Sequence, residues 1–185
     1  LLTMLCAVDQ AFFMGLFFLI AGYFTPPSLA RKGGSRFLLD RGVRLGLPLA
    51  LFGLVLGPMT VALAGMASGQ PFFERWAGLL ADGRFIAGPL WFVQALLLFA
   101  VGHALLHRMG LLQDSAQDDR PLPRAAAWLA AALGVGAAAL LLRQWVPVGQ
   151  ERWGLQIGYF ASYVFLYGLG AVAWRHRWQI GRAHV

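Results

Sequence analysis

Five long apolar segments, each bounded by short polar or basic stretches, account for most of the chain. Their approximate limits are residues 8–24, 43–66, 89–107, 125–145 and 155–174. A helix that crosses a membrane needs about 20 predominantly apolar residues. The pattern therefore predicts an all-α bundle of transmembrane helices, with five spans visible in this chain.

Prolines mark the boundary and the interior of the first two segments. The first apolar run is predicted to stop at Pro26-Pro27, which leaves a basic loop from Arg31 to Arg44 before the second span. Pro48 lies inside the second span and removes a backbone hydrogen bond there. Membrane helices tolerate such prolines when their neighbours satisfy the freed carbonyl groups, so a kink is expected.

The remaining segments differ in their side chains. Residues 72–80 have an amphipathic pattern that predicts a short helix lying in the membrane interface. Residues 110–124 are polar and are predicted to form a solvated linker without chemistry of its own. The fourth apolar run is rich in alanine and glycine at residues 125–139. Small residues let helices approach closely, so this run is predicted to pack inside the bundle.

The composition places the chain among integral membrane proteins. Hydrophobic residues make up 59% of the sequence and charged residues only 12%, whereas soluble domains carry about 25% charged residues. The net charge of +7 would suggest a nucleic-acid partner in a soluble protein. Here the basic residues lie at the ends of apolar runs, and no loop combines a basic patch with interleaved aromatics, which argues against nucleic acid.

The distribution of lysine and arginine predicts the orientation in the membrane. Four basic residues lie on one side of the predicted spans and ten on the other, and the side with the excess faces the cytoplasm. The ten are Arg31, Lys32, Arg36, Arg41, Arg44, Arg108, Arg120, Arg124, Arg175 and Arg177. The stretch from Arg31 to Arg44 is therefore predicted to be cytoplasmic. In a bacterium this orientation corresponds to the inner (cytoplasmic) membrane, which is where we expect the protein.

Arg41 and Arg44 are the leading candidates for a binding site. Residues three apart lie on one face of a helix, and fixed cations at the mouth of an apolar bundle are costly unless an anion accompanies them. One interpretation is that they bind phosphate groups, since guanidinium groups match phosphate oxygens bidentately. The alternative is that they only anchor the helix at the headgroups. Asp40 would either position one of the arginines or cap the second helix.

Trp91 and His103 are candidates for a substrate passage. Trp91 could pack against a sugar or an acyl chain, although an aromatic residue at the start of a span is also typical of an interface anchor. His103 and His107 lie on one face of the third span, but two histidines without a further ligand do not make a zinc site. We therefore predict no metal. His103 could transfer a proton, but a hydrogen-bonded structural role is the favoured interpretation for both histidines.

Several of these residues resemble the signature of a known family. The resemblance is carried by Phe17-Phe18, Ala21-Gly22-Tyr23-Phe24, Arg31-Lys32-Gly33, Phe37-Leu38, Asp40-Arg41, Arg44 and Pro48, with a weaker match at Gly88-Pro89-Leu90-Trp91-Phe92. This pattern is similar to the second-helix and loop signature of the acyltransferase 3 family, integral membrane O-acyltransferases. Within the family, the chain looks most like the branch of glucan biosynthesis protein C.

The resemblance implies a reaction and its partners. An acyl group of the acetyl or succinyl type would move from cytoplasmic acyl-CoA, as the donor substrate rather than a bound cofactor, to a hydroxyl of a glycan or glycolipid. Arg41, Arg44 and Asp40 would bind the donor. Without the resemblance, the same features also fit a transporter or a lipid- or anion-handling protein without covalent chemistry.

The resemblance also implies a catalytic base that this chain does not supply. Family members place a histidine on the helix before the first complete span, and residues 1–10 contain none. The catalytic residue is thus unknown and expected upstream, so the chain alone is expected to be inactive. We interpret residues 1–179 as part of one domain of roughly ten helices, and residues 180–185 as a tail derived from adapter DNA.

Overall fold

Eight α-helices make up most of the described chain, and no strand longer than a single bridge residue occurs among the described residues. The computed structural model describes the backbone of residues 2–112, 117–147 and 154–178, with side chains from residue 12 onward. The helices are α1 (Leu2–Lys32), α2 (Gly34–Arg41), α3 (Leu47–Leu51), α4 (Gly57–Met66), α5 (Phe72–Ala81), α6 (Trp91–Arg108), α7 (Ala125–Trp145) and α8 (Phe160–Arg175). The expected tail at 180–185 and the side chains of residues 1–10 lie outside this description.

The described helices form five candidate membrane spans, which confirms the predicted all-α membrane fold. They run over Phe12–Lys32, Gly34–Met66, Gly88–Arg108, Ala125–Trp145 and Ile157–Arg175. The amphipathic stretch predicted after the second span is also helical, as α5. The third, fourth and fifth spans begin and end within a few residues of the predicted limits.

The basic loop predicted between the first two spans is instead helical, so that prediction was wrong. Helix α1 continues through Pro26 and Pro27 as far as Lys32, and α2 begins two residues later at Gly34. Pro26 is fully buried among neighbouring residues. Prolines persist inside membrane helices when the surrounding protein accommodates the lost hydrogen bonds, so here they do not end the helix.

The second span is irregular near its prolines, where the backbone changes from the α-helical to the π-helical hydrogen-bond pattern. Residues 42–46 and 52–56 form π-helical turns, the second of which ends directly before Gly57 and Pro58. The Gly57 amide donates to the Phe52 carbonyl instead of the Gly53 carbonyl. The Ile86 amide takes that place and donates to Gly53 over 2.8 Å. A neighbouring segment thus provides the hydrogen-bond donor for the Gly53 carbonyl, which has lost its α-helical donor in the irregular helix.

Helices α1 and α8 form the closest helix–helix contact of the bundle. A Cβ atom at Gly22 would lie 1.9 Å from the Tyr167 carbonyl oxygen, and one at Gly170 would lie 2.1 Å from the Leu19 carbonyl oxygen. Only a hydrogen atom fits at either position, so glycine allows the two backbones to touch. This contact fixes the position of α1, whose C-terminal end carries part of the candidate site.

The described residues form two clusters of buried side chains. The larger joins α1, α6 and α8 and contains Phe18, Ala87, Trp91, Ala95, Leu155, Tyr163 and Tyr167. The smaller joins the C-terminal end of α1 to α2 and α6 and contains Leu29, Phe37, Ala100 and Ala104. The smaller cluster lies at the predicted cytoplasmic end, and its Phe37 belongs to the same short helix as Arg41.

Helix α7 lies outside the bundle, in contrast to the prediction from its small residues. None of its residues is buried, and it packs mainly against α8 and the short turn before it. Small residues permit a close approach but do not select a partner. In this chain, the two glycines of α1 and α8 make the close contact that was expected of α7.

The predicted solvated linker after α6 is partly docked onto the end of α8. The Asp118 amide donates to the Arg175 carbonyl over 3.1 Å, and the indole of Trp178 donates to the Arg120 carbonyl over 2.8 Å. Asp118 also accepts hydrogen bonds from His176 and Arg120. These bonds hold the entrance to α7 against the C-terminal end of α8.

The docked segment should lose part of its stability in acid. Partial burial by itself raises the pKa of Asp118, but the hydrogen bonds from His176 and Arg120 outweigh it and lower the pKa below the usual 3.8. A lowered carboxyl pKa stabilises the folded state above 3.8, and that contribution disappears as the pH falls toward the lowered pKa. In detergent, the midpoint temperature of thermal unfolding should therefore fall more steeply below pH 3.8 in the wild type than in Asp118→Asn. Parallel curves would contradict the assignment.

Candidate functional site

A one-residue corner between α1 and α2 builds the candidate site. Gly33 has φ 74°, a left-handed conformation that glycine adopts without strain. The Gly33 amide still bonds to the Leu29 carbonyl, and the Phe37 amide bonds to the Gly33 carbonyl. The chain therefore turns sharply while both helices keep their terminal hydrogen bonds, and the basic ends of α1 and α2 face one another.

A cavity of about 390 Å³ lies in this corner, and we call it the basic cavity. Its lining combines four cations and one carboxylate with apolar and hydroxyl groups. The lining residues are Phe24, Pro27, Ser28, Arg31, Lys32, Phe37, Asp40, Arg41 and Arg44. The structure thus brings the predicted donor-binding residues Arg41, Arg44 and Asp40 into one place.

The two arginines are held in different ways. The Arg41 guanidinium carbon lies 5.4 Å from the centroid of the Phe37 ring, one helical turn earlier. Phe37 is only 1% exposed, so a rigid buried ring supports this cation through a cation–π contact. Arg44 is exposed and lies in the π-helical turn 42–46, a local geometry that often occurs at functional sites.

Asp40 forms an ion pair with Lys32 across the corner. One of the two roles predicted for it, the cap of the second helix, is wrong, because α2 begins six residues earlier at Gly34. The partner seen in the structure belongs to the preceding helix, rather than being Arg41 or Arg44. The ion pair joins the last residue of α1 to the penultimate residue of α2.

Trp91 and His103 lie in the core and not in the lining of the basic cavity. Trp91 is 5% exposed and its ring lies 5.9 Å from that of Tyr163. His103 is 6% exposed, with its ring edge-on to Tyr167. Their contacts join α6 to α8, so the structure does not bring them together with the arginines.

Sequence reasoning did not assign Lys32 and Phe37 to the donor site. The sequence places Lys32 in the basic loop between the first two spans, because the first helix is predicted to end at the prolines. Phe37 lies four residues before Arg41, and residues at this spacing share one face of a helix. The contact between them could therefore have been predicted from the sequence. Phe24, Pro27 and Ser28 complete the wall that α1 contributes, and only the folded corner brings them to the cavity.

The basic cavity is suited to a ligand with several negative charges. Arg31, Lys32, Arg41 and Arg44 outnumber the carboxylate of Asp40, so the lining carries an excess of positive charge. Arginine offers forked donors to phosphate oxygens and stays charged at any working pH. Among the described residues, no three His, Cys, Asp or Glu side chains come together as possible metal ligands.

Comparison with known proteins identifies the family. The acyltransferase 3 family model, described as an acyltransferase domain, matches residues 8–184, which is nearly the whole chain. Comparisons with curated proteins and with solved structures give no match. The match includes the corner, the basic cavity and all five candidate spans. The chain therefore belongs to the acyltransferase 3 family of membrane acyltransferases.

Proposed function

We propose that the protein transfers an acetyl- or succinyl-type group from cytoplasmic acyl-CoA to a hydroxyl of a glycan or glycolipid. The observation that carries the proposal is the basic cavity, with four cations around one carboxylate at the predicted cytoplasmic end of a membrane acyltransferase. Coenzyme A carries its negative charge on phosphate groups, which are the ligands that such a lining favours.

In this proposal, Arg41 and Arg44 bind phosphate oxygens of the donor. Arg41 has its guanidinium group supported on the Phe37 ring, so little side-chain freedom is lost when a phosphate binds. Arg44 lies one turn further along and is exposed to an entering ligand. Holding the phosphates fixes the thioester relative to the bundle, which contributes to catalysis through orientation.

The acceptor hydroxyl oxygen attacks the carbonyl carbon of the thioester. A carbon–oxygen bond forms, the carbon–sulfur bond breaks, and the thiol of CoA leaves with the proton that the hydroxyl gives up. A general base must take that proton as the oxygen attacks. Among the described residues that line the basic cavity there is no histidine, so the proposal assigns donor binding, and not the base, to the corner described here.

The charge asymmetry supports the proposed orientation. The ends of α1, α6 and α8 carry Lys32, Arg108 and Arg175 on the side that also holds the basic cavity. Positive charge is retained on the cytoplasmic side of membrane proteins, and acyl-CoA is supplied there. The proposal places the protein in a bacterial inner membrane, within the branch of glucan biosynthesis protein C.

Transfer of label from radioactive acetyl-CoA tests this function. Membranes containing the protein expressed from its natural gene should form labelled glycan or glycolipid whose label is released by mild alkali, as expected for an ester. The paired variant Arg41→Ala with Arg44→Ala should abolish labelling at matched expression, whereas Arg108→Ala should retain it. An absence of CoA-dependent labelling in the wild type would contradict the proposal and favour a transport function.

A further inference from the structure

The ion pair between Lys32 and Asp40 is unusual in its choice of partner. Asp40 has Arg36 and Arg44 four residues away on either side along the same span, the spacing at which helical ion pairs normally form. Its carboxylate instead contacts Lys32 at the end of the previous helix. The contact reaches across Gly33 and links the two walls of the basic cavity.

A carboxylate is at first sight unfavourable in a cavity that binds anions. Its charge repels a phosphate group by the same law that makes the nearby cations attract one. If Asp40 acted on the donor only through its charge, the cavity would bind the donor better without it. Its place among the lining residues therefore points to an effect through Lys32, with which it is bonded.

Lysine needs such a partner more than arginine does. Its ammonium group is a compact charge on a flexible four-carbon stem, and ordering the stem costs rotamer entropy. A lysine at the end of a membrane helix normally extends toward headgroups and water. The side chain of Lys32 is instead only 24% exposed, and its ammonium group contacts the Asp40 carboxylate.

We propose that Asp40 is a positioning residue that holds the Lys32 ammonium group in the wall of the basic cavity as a third donor-binding cation. Lys32 then faces the same ligand as Arg41 and Arg44, from the opposite wall. Asp40 acts through Lys32 and does not itself contact the donor. This inference rests on the proposed function, because it assumes that the cavity takes acyl-CoA.

The affinity of Asp40→Asn for acetyl-CoA tests the inference, because the two explanations predict changes in opposite directions. Simple electrostatics predicts tighter binding, because the substitution removes a negative charge from the cavity. Positioning predicts binding about tenfold weaker, the size of one lost charge-assisted contact of about 1.4 kcal/mol. Asp119→Asn is the matched control, since it removes an acid from the same end of the bundle outside the cavity. It should leave binding unchanged.

Two further variants separate positioning from a general structural effect. Lys32→Gln should weaken binding to the same extent, and adding Asp40→Asn to it should cause no further loss, because both changes remove one contact. Asp40→Glu keeps the carboxylate and should retain most of the affinity. Equal losses in Asp40→Glu and Asp40→Asn, or additive losses in the double variant, would overturn the inference.

The outcomes also distinguish the inference from the proposed function. A wild-type chain that does not bind acetyl-CoA in detergent would overturn the proposed function, and the inference with it. A wild-type chain that binds acetyl-CoA, together with an Asp40→Asn variant that binds as well or better, would overturn the inference alone. Size-exclusion chromatography of each variant, compared with the wild type, shows whether a loss of binding reflects a loss of fold.

Discussion

Gly170→Ala and Gly22→Ala should each prevent α1 and α8 from docking and should strongly destabilise the protein. The added Cβ atoms would lie 2.1 Å and 1.9 Å from backbone oxygens of the facing helix. Backbone cannot move aside as a side chain can, so the helices must separate. We expect a cost of about 3 kcal/mol or more, at the upper end of what overpacking costs in a core.

Gly168→Ala is the matched control, because it lies on the same helix two residues from Gly170. A Cβ atom there would meet no atom within 4 Å. Alanine also has the higher helix propensity, by up to about 1 kcal/mol. Thermal unfolding in mild detergent should therefore separate the variants clearly, with Gly168→Ala at or above the wild type. Equal stability of Gly170→Ala and Gly168→Ala would contradict the close contact between α1 and α8.

Arg41→Ala and Arg44→Ala should each weaken acetyl-CoA binding by about tenfold to a hundredfold. Hydrogen bonds to charged groups contribute about 1.5–3 kcal/mol each, and tenfold in affinity corresponds to about 1.4 kcal/mol. Arg41 should give the larger loss, because its guanidinium group is half-buried against Phe37 while Arg44 is exposed. Equilibrium binding of labelled acetyl-CoA to the purified chain measures both losses.

Arg108→Ala provides the comparison for these two variants. Arg108 is an exposed cation in the last turn of α6, at the same end of the bundle but outside the lining of the basic cavity. Its removal lowers the net charge as much as either cavity variant and should leave binding nearly unchanged. Similar losses in all three variants would mean that the arginines act through overall charge, contrary to a specific donor site.

Hydropathy was sufficient to predict the class of fold and most of its spans. Helix α7 begins and ends at the predicted residues, 125 and 145. A continuous apolar run of this length forms a helix in a membrane, because a helix satisfies all of its backbone hydrogen bonds internally. The limits of α1 and α2 could not be predicted in the same way. Whether Pro26 ends a helix depends on its surroundings in the folded protein, where it is fully buried, and the local sequence does not show these surroundings.

The site was only partly predictable for a related reason. The spacing of Arg41 and Arg44 within one helix is visible in the sequence, so they were found. Lys32 reaches the same cavity only because the chain reverses at Gly33 with a positive φ. The burial of His103 depends on the docking of α8 beside α6, which pairs residues more than 60 positions apart. Such contacts between distant segments leave no local pattern.

Protection of a single cysteine in the basic cavity would test the central claim most directly. Ser28 lines the cavity, and the chain contains one native cysteine, Cys6, which can be replaced by alanine. In that background, acetyl-CoA should slow the modification of Ser28→Cys by a charged thiol reagent at least severalfold. Modification of Ala125→Cys, an exposed position at the start of α7 outside the cavity lining, should not change. Equal rates at Ser28→Cys with and without acetyl-CoA would contradict the assignment of this cavity as the donor site.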